Sequence, residues 1–225
     1  YDYIDHCMAS LVFGLISETS NSITIKDVDI YTSNTLVNAI RETKSKGFGD
    51  VRVAGFICYS DGTSYNDINL YINKSNFYLD SLSYDDSLTY GSNAYNNAYC
   101  GGIFSQVISG SIENCKLVGY DTKSFFEEGT TLQIKSIQNT EPGGTDYLGD
   151  NYLGGIVGLI QHVYKVDGLI YRGSETNEDL IVIQGHQNPD SLYCGGMIGF
   201  IKAIGEAYQE ISINNCKITN ALIEA

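Results

Sequence analysis

The residues best equipped for chemistry are six cysteines: Cys7, Cys58, Cys100, Cys115, Cys194 and Cys216. Thiols pair with each other, ligate metals or attack substrates, and their spacing separates these uses. No Cys-x-x-Cys occurs, which disfavours zinc. An even set without metal spacing points to disulfides and an oxidising compartment. The histidines, His6, His162 and His186, form no His-x-x-x-His or His-Glu-x-x-His, so no metal triad is expected. There is no Gly-x-Ser-x-Gly elbow and no phosphate-binding loop. Gly143-Gly144 lacks the following helix whose N-terminus would hold phosphate. Paired carboxylates suit polysaccharide hydrolysis or elimination when a base, an acid and a cation converge. Asp27 and Asp29 share one strand face, Asp85 and Asp86 lie in a long polar stretch, and Arg52 and Arg172 fall in non-adjacent repeats. That scatter forces no acid–base constellation. The expectation is a non-enzyme with no catalytic residue, no metal site and no cofactor beyond loose calcium association with an acidic surface.

Two other groups suggest contact rather than catalysis. Tyr78, Tyr84, Tyr90, Tyr95 and Tyr99 are interleaved with Ser, Asn and Gly, a composition typical of adaptable binding surfaces. Tyr84, Tyr90, Tyr95 and Tyr99 are the candidate surface for stacking on glycans or protein. Asn73-Lys-Ser75 is the single Asn-x-Ser/Thr sequon, so Asn73 is the candidate glycosylation site.

The elements that must position these residues recur along the chain. Tyr99-Cys-Gly-Gly-Ile-Phe-Ser, Tyr152-Leu-Gly-Gly-Ile-Val-Gly and Tyr193-Cys-Gly-Gly-Met-Ile-Gly repeat one strand. Ser111-Ile-Glu-Asn-Cys-Lys-Leu, Lys165-Val-Asp-Gly-Leu-Ile and Ser212-Ile-Asn-Asn-Cys-Lys-Ile repeat a second. Looser copies open at Cys7 and Val53. Marking the second small residue gives Ala9, Gly55, Gly102, Gly155 and Gly196, in steps of 46, 47, 53 and 41 residues. The repeats are expected near 6–50, 51–98, 99–151, 152–192 and 193–225, within one domain.

The repeat sorts the cysteines. Cys100 and Cys115 in one copy, and Cys194 and Cys216 in another, are replaced together by Leu153 and Leu169 in the copy between. Two facing core sites would exchange in this coupled way. Pairing Cys100 with Cys194 would skip a copy, roughly 9.5 Å of strand spacing, beyond the limit of about 7 Å between bridged Cα atoms. The expected bridges are therefore Cys100–Cys115 and Cys194–Cys216, with Cys7–Cys58 as the remaining pair. Each such bridge would stabilise by about 3 kcal/mol in the chain-entropy picture.

Composition agrees with a β protein. Tyrosine supplies 18 of the aromatics against 8 Phe and no Trp, and strand formers crowd Ser22–Ile30, Thr130–Ile137 and Leu180–Ile183. The net charge of −14 repels phosphate backbones, and no basic cluster offsets it, so nucleic acid is not an expected partner. The apolar run Leu153–Ile160 is far too short to span a bilayer as a helix. Tyr1 opens in the middle of an element, as a mature part or fragment of a longer chain would.

In Gly154-Gly-Ile-Val-Gly-Leu-Ile both alternating faces are small or apolar, which reads as one strand buried on both sides. In the second strand Ile112, Asn114 and Lys116 oppose Glu113, Cys115 and Leu117, and Asn114 is a candidate corner in the left-handed region. One unit cannot bury its apolar face alone, whereas stacked units share a core. The expected fold is all-β, a parallel β-solenoid (β-helix) of about five irregular repeats with projecting loops. Loops are expected at Phe77–Ala98 and Gln138–Asn151. Over Ser33–Gly47, Leu36, Val37 and Ile40 have helical spacing, Asn34 can cap and Gly47 can stop, which predicts one short helix.

Gly101-Gly-Ile-Phe-Ser with Gly110-Ser-Ile-Glu-Asn-Cys-Lys resembles the GLUG-type repeat, named for its Gly-Leu-x-Gly strand. Gly154-Gly-Ile-Val-Gly and Gly195-Gly-Met-Ile-Gly resemble it too. The resemblance covers the third to fifth copies well and the first two poorly, and the spacing here is longer. It implies a right-handed β-helix in a large extracellular, adhesin-like surface protein, with a structural rather than catalytic signature. The expected function is an extracellular or cell-surface structural or adhesive protein. Its partners would be itself, neighbouring β-repeat segments or glycans, with a subunit of a head-to-tail filament as one form of that role. A carbohydrate-active β-helix module, whether binder, lyase or hydrolase, is the alternative.

Overall fold

The computed structural model describes residues 6–16, 23–33, 35–42, 50–73, 75–82, 97–119, 132–139, 150–172, 181–184, 191–202, 211–219 and 221–224. The chain makes five passes. The first comprises β1 (His6–Ser10), β2 (Phe13–Ile16), β3 (Ile23–Ser33) and β4 (Leu36–Glu42). The second comprises β5 (Asp50–Ala54), β6 (Ile57–Ser60), β7 (Thr63–Asn73) and β8 (Ser75–Leu82). The third runs through β9 (Ala98–Gly101), β10 (Phe104–Val107), β11 (Gly110–Glu113), β12 (Lys116–Gly119) and β13 (Leu132–Asn139). The fourth has β14 (Asn151–Gly154), β15 (Val157–Gln161), β16 (Val163–Asp167), β17 (Ile170–Arg172) and β18 (Ile181–Gln184). The fifth has β19 (Leu192–Gly195), β20 (Ile198–Lys202), β21 (Ser212–Asn214), β22 (Lys217–Thr219) and β23 (Ala221–Glu224).

Corresponding strands pair in parallel. Sheet A is ordered β1-β5-β9-β14-β19 and sheet B β2-β6-β10-β15-β20. Sheet C stacks β3, β7, β11 with β12, β16 with β17, and β21 with β22, while sheet D stacks β4, β8, β13, β18 and β23. Every pairing is parallel, and all described secondary structure is β. Equivalent side chains therefore form rows across the passes. Tyr99, Tyr152 and Tyr193 are one row, and Cys100, Leu153 and Cys194 the next.

Two corners shape each pass. Between sheets A and B the paired glycines end one strand before the next begins, so Gly154-Gly-Ile-Val spans a bend and not the single strand expected. Close approach is why glycine sits there. A Cβ at Gly102 would stand 2.2 Å from the Gly155 carbonyl oxygen and 2.7 Å from Leu117. The bend carbonyls each accept two amides: Ile103 O takes the N–H of Phe56 at 2.9 Å and of Ile57 at 3.2 Å. The second corner divides sheet C. Asp27, Asp67, Asn114, Gly168 and Asn215 occupy one row, and all have positive φ, between 52° and 66°. Asn114 is the corner anticipated from the sequence. By entering the left-handed region it resets the alternation, so Ile112, Cys115 and Leu117 are all buried, where simple alternation set Ile112 opposite the other two.

The helix expected over Ser33–Gly47 is not found. Leu36–Glu42 forms β4, whose Val37 lies level with Phe77 of β8. Val37 and Ala39 are buried and Leu36 is 60% exposed, the two-residue period of a strand. A ready partner strand decided between two readings that a short apolar run left equal. Phe77, where a loop was expected to begin, is fully buried in β8, and that strand continues to Leu82. Gln138 likewise belongs to β13. The first repeat marker shifts as well: Ser10 pairs Ala54 and Phe13 pairs Ile57, which brings Leu11, not Ala9, level with Gly55.

The core runs between the sheets through Phe56, Ile68, Leu70, Phe77, Ile103, Phe104, Ile112, Leu117, Leu153 and Tyr171, all fully buried. A second, smaller cluster of Tyr99, Tyr152 and Leu159 packs separately, joined by Tyr193 and Phe200. The segment expected to be one strand buried on both faces is divided by the bend, and β14 and β15 on either side of it are both buried.

Candidate functional site: two strand-ladder ends and a tyrosine–arginine corner

The parallel rows leave two end faces. Leu11, Val12, Phe13, Leu15, Ile23, Tyr31 and Leu36 are exposed on the first pass. Ile201, Ile213, Ile218, Leu222 and Ile223 are exposed on the fifth. Among the described residues, Tyr164 is the one exposed large apolar side chain that belongs to a middle pass. It falls beside the register irregularity in the β11–β16 pairing. The contrast within a row is sharp: Leu70, Leu117 and Tyr171 are 0% exposed, and Ile218 at the end of the same row is 42% exposed. Strand edges carry unsatisfied N–H and C=O groups besides apolar side chains, and both invite further strands.

The second feature is the outer corner of sheets A and B. Tyr99, Tyr152 and Tyr193 stack with ring centroids 5.0 and 5.1 Å apart. Phe200 closes the column 4.6 Å from Tyr193. Arg52 continues the row, its guanidinium 5.0 Å from the Tyr99 ring centre and 5.2 Å from that of Tyr59. Arg52 is only 3% exposed, so its charge must be satisfied locally. Its Nη2 reaches Asp50 Oδ2 at 2.7 Å and its Nε donates to Gln106 Oε1 at 2.8 Å. Asn97 links neighbouring passes: its backbone N–H donates to Asp50 Oδ1 at 3.2 Å, and its Oδ1 accepts the Asp150 N–H at 3.0 Å. Burial raises the Tyr99 hydroxyl to about 12, helped by the Asp50 charge. Burial and the hydroxyl's bond to Asp150 raise Tyr152 further. Stacked aromatic pairs contribute about 0.5–1.5 kcal/mol beyond their area. The arrangement clamps passes together, and Tyr99 and Tyr152 keep their protons.

Tyr99 corrects the expected contact surface. It is 5% exposed, held in this column by stacking and not presented to solvent. Tyr84, Tyr90 and Tyr95 lie outside the described residues. Sequence reading missed Asp50, Tyr59 and Gln106, and named Arg52 only as a scattered cation. The signal was available: Arg52 alternates with the buried Val51 and Val53, and its row partner is Tyr99.

The described cysteines, Cys58, Cys100, Cys115, Cys194 and Cys216, are free thiols. The bridges expected for Cys100–Cys115 and Cys194–Cys216 are not present. Each thiol donates to a carbonyl or is packed in the core. Cys115 donates to Glu113 O at 3.3 Å, and Cys216, its row mate, donates to Asn214 O at 3.2 Å. Cys58 donates to Ala9 O at 3.1 Å and Arg52 O at 3.3 Å. Ser105 fills the equivalent place in the next pass, its hydroxyl donating to Tyr99 O at 2.8 Å. The row assignments are as expected: Cys100, Leu153 and Cys194 stack, and Cys115, Leu169 and Cys216 stack, each row facing the main core. Burial pushes Cys58 and Cys194 up to about 11 and Cys115 to about 12, and holds Cys100 well above its ordinary value. The side chain of Cys7 lies outside the described residues.

Asn73 ends β7, half-buried, and its carbonyl accepts the hydroxyl of the fully buried Ser75 at 3.2 Å. Asp27 and Asp29 are exposed on the first pass, and Asp29 Oδ1 accepts from Asn69 Nδ2 at 2.9 Å. Asp85, Asp86 and His186 lie outside the described residues. Arg172 is exposed on β17, in a different sheet and a different pass from Arg52. Among the described residues no group of three His, Cys, Asp or Glu could hold a metal ion. No described helix is long and apolar enough to cross a membrane. No protein-family model, no curated protein and no solved structure matches this chain.

Proposed function

We propose that this chain is a β-solenoid module of an extracellular structural or adhesive surface protein, built of GLUG-type repeats, whose end faces receive further parallel β-structure. The observation that carries the reading is the placement of exposed apolar side chains on the first and fifth passes, with the equivalent rows buried between. Winding through four sheets per pass, with parallel in-register rows, supports the solenoid. The extracellular setting rests on the repeat resemblance and not on cysteine pairing, and a glycan on Asn73 belongs to the same setting. The stacked tyrosines and the buried Arg52 serve cohesion, which favours a structural role over a carbohydrate-active one.

Hydrogen exchange on the dilute chain tests the architecture. Amides of β9–β12 and β14–β17 should be protected most, with β2, β3 and β21–β23 exchanging first. Uniform protection across the five passes would overturn the solenoid. Turnover of a panel of polysaccharides with calcium present, abolished by Asp27→Asn with Asp29→Asn, would overturn the structural role.

A further inference from the structure

We infer that the occupant of each end face is a second copy of this chain, stacked head to tail so that the fifth pass of one copy pairs in register with the first pass of the next. The inference rests on the solenoid reading above and adds the identity of the partner. Its ground is what the rows become when extended by one strand spacing. Pass-to-pass pairing fixes the rows of the paired strands, so the fifth pass can be set beside a new first pass without choosing a register.

In sheet B, Ile198 then meets Phe13 and Phe200 meets Leu15. In sheet C, Ile213 meets Ile25 and Ile218 meets Ile30. In sheet D, Ile223 meets Val37 and Leu222 meets Leu36. Apolar faces apolar in all three, and all of these residues except the buried Val37 are left partly or largely exposed in the isolated chain.

Charge agrees with the same register. Lys217 lies in the row of Ile170, Lys116, Asn69 and Asp29, so the extended row sets Lys217 of one copy beside Asp29 of the next. Both are exposed at their ends. Opposite charges directly across a strand pair are favourable and like charges are not. No described row brings like charges level in this register. At the left-handed corner, Asn114 Nδ2 donates to Asn66 Oδ1 of the preceding pass at 3.0 Å, and Asn215 Nδ2 donates to Asp167 Oδ1 at 2.8 Å. In the continued ladder Asp27 follows Asn215 and lies diagonal to Asn214, as Asn215 does to Asp167, so the Asp27 carboxylate accepts from the Asn214 amide. Such a contact is heterologous and does not close, so it builds a filament.

The test uses charge variants of the chain followed by light scattering and sedimentation across concentration. Wild type should form open-ended oligomers. Lys217→Glu alone, and Asp29→Lys alone, should each weaken association by about tenfold, because each turns the attraction at every junction into repulsion. An equimolar mixture should recover wild-type association, since alternating copies restore an opposite-charge pair at every junction. Association that stops at a dimer, or that neither variant weakens, overturns the head-to-tail pairing. A wild type that stays monomeric at all concentrations also overturns it. Fast exchange of β21–β23 in that monomer leaves the solenoid reading standing, and protected ends would remove both.

Discussion

The middle passes and the end passes obey one sequence pattern and reach opposite fates. Tyr65, Ile112 and Val166 are fully buried, and Ile213, in the same row with the same inward position, is 42% exposed. Phe104 and Val157 are fully buried, and Phe13 at the head of their row is 40% exposed. Burial in a stacked array belongs to the neighbours above and below and not to the residue. Apolar patterning in such a chain sets where a side chain points, and adjacency sets whether pointing inward stabilises anything.

The largest expected effect separates these two regions directly. Leu117→Ala, in the third pass, should cost about 2–5 kcal/mol because it leaves a cavity between passes. Ile218→Ala, in the same row on the fifth pass, should cost about 1 kcal/mol or less in the isolated chain. Urea unfolding of both variants is the measurement, and equal losses would break the distinction. A smaller contrast comes from glycine. Gly102→Ala drives a Cβ against the Gly155 carbonyl oxygen 2.2 Å away and should cost about 1–3 kcal/mol. Gly14 has nothing within 4 Å of a new Cβ, so Gly14→Ala should be within about 0.5 kcal/mol of wild type.

The smallest effect is a matter of pH. Buried thiols and tyrosines hold their protons more tightly folded than unfolded: Cys58 to about 11, Cys115, Tyr65 and Tyr99 to about 12. The unfolded chain therefore releases protons first. The stability tied to these groups is complete below about pH 8.5, the ordinary thiol value, and falls as pH rises toward 11–12. Thermal melts should show a plateau up to that point and a decline beyond it. Thiol labelling at pH 8 should reach Cys216, on the end pass, well before its buried row mate Cys115. Equal labelling rates would show that the middle passes open as readily as the ends.

How much of this was legible varies by feature. The repeat, the rows of Tyr99 with Tyr152 and Tyr193, and the corner at Asn114 follow from residues that recur at matched positions, because in-register pairing maps sequence spacing onto space. The strand at Leu36–Glu42 was hidden since Leu36, Val37 and Ile40 satisfy a helical period as well, and only the presence of β8 alongside decides. Coupled exchange of Cys and Leu did report two inward rows, but a shared core explains that exchange without a bond between them. The Arg52 corner was hidden for another reason: the repeat spacing aligns Arg52 with Tyr99 and Tyr59 with Gln106, but not the convergence of these two rows from different sheets.

The row geometry carries a consequence for how the molecule comes into being. Each ladder bond joins residues separated by a whole pass, as with Cys7 and Val51 or Lys116 and Ile170. Contacts of that separation are slow to form because a long loop must close before any bond rewards it. Whichever two neighbouring passes meet first must do so without a finished edge to pair with. After the first two passes meet, every later one adds to a finished edge. Formation of this protein is therefore limited at its start and rapid thereafter, in the manner of growth from a seed.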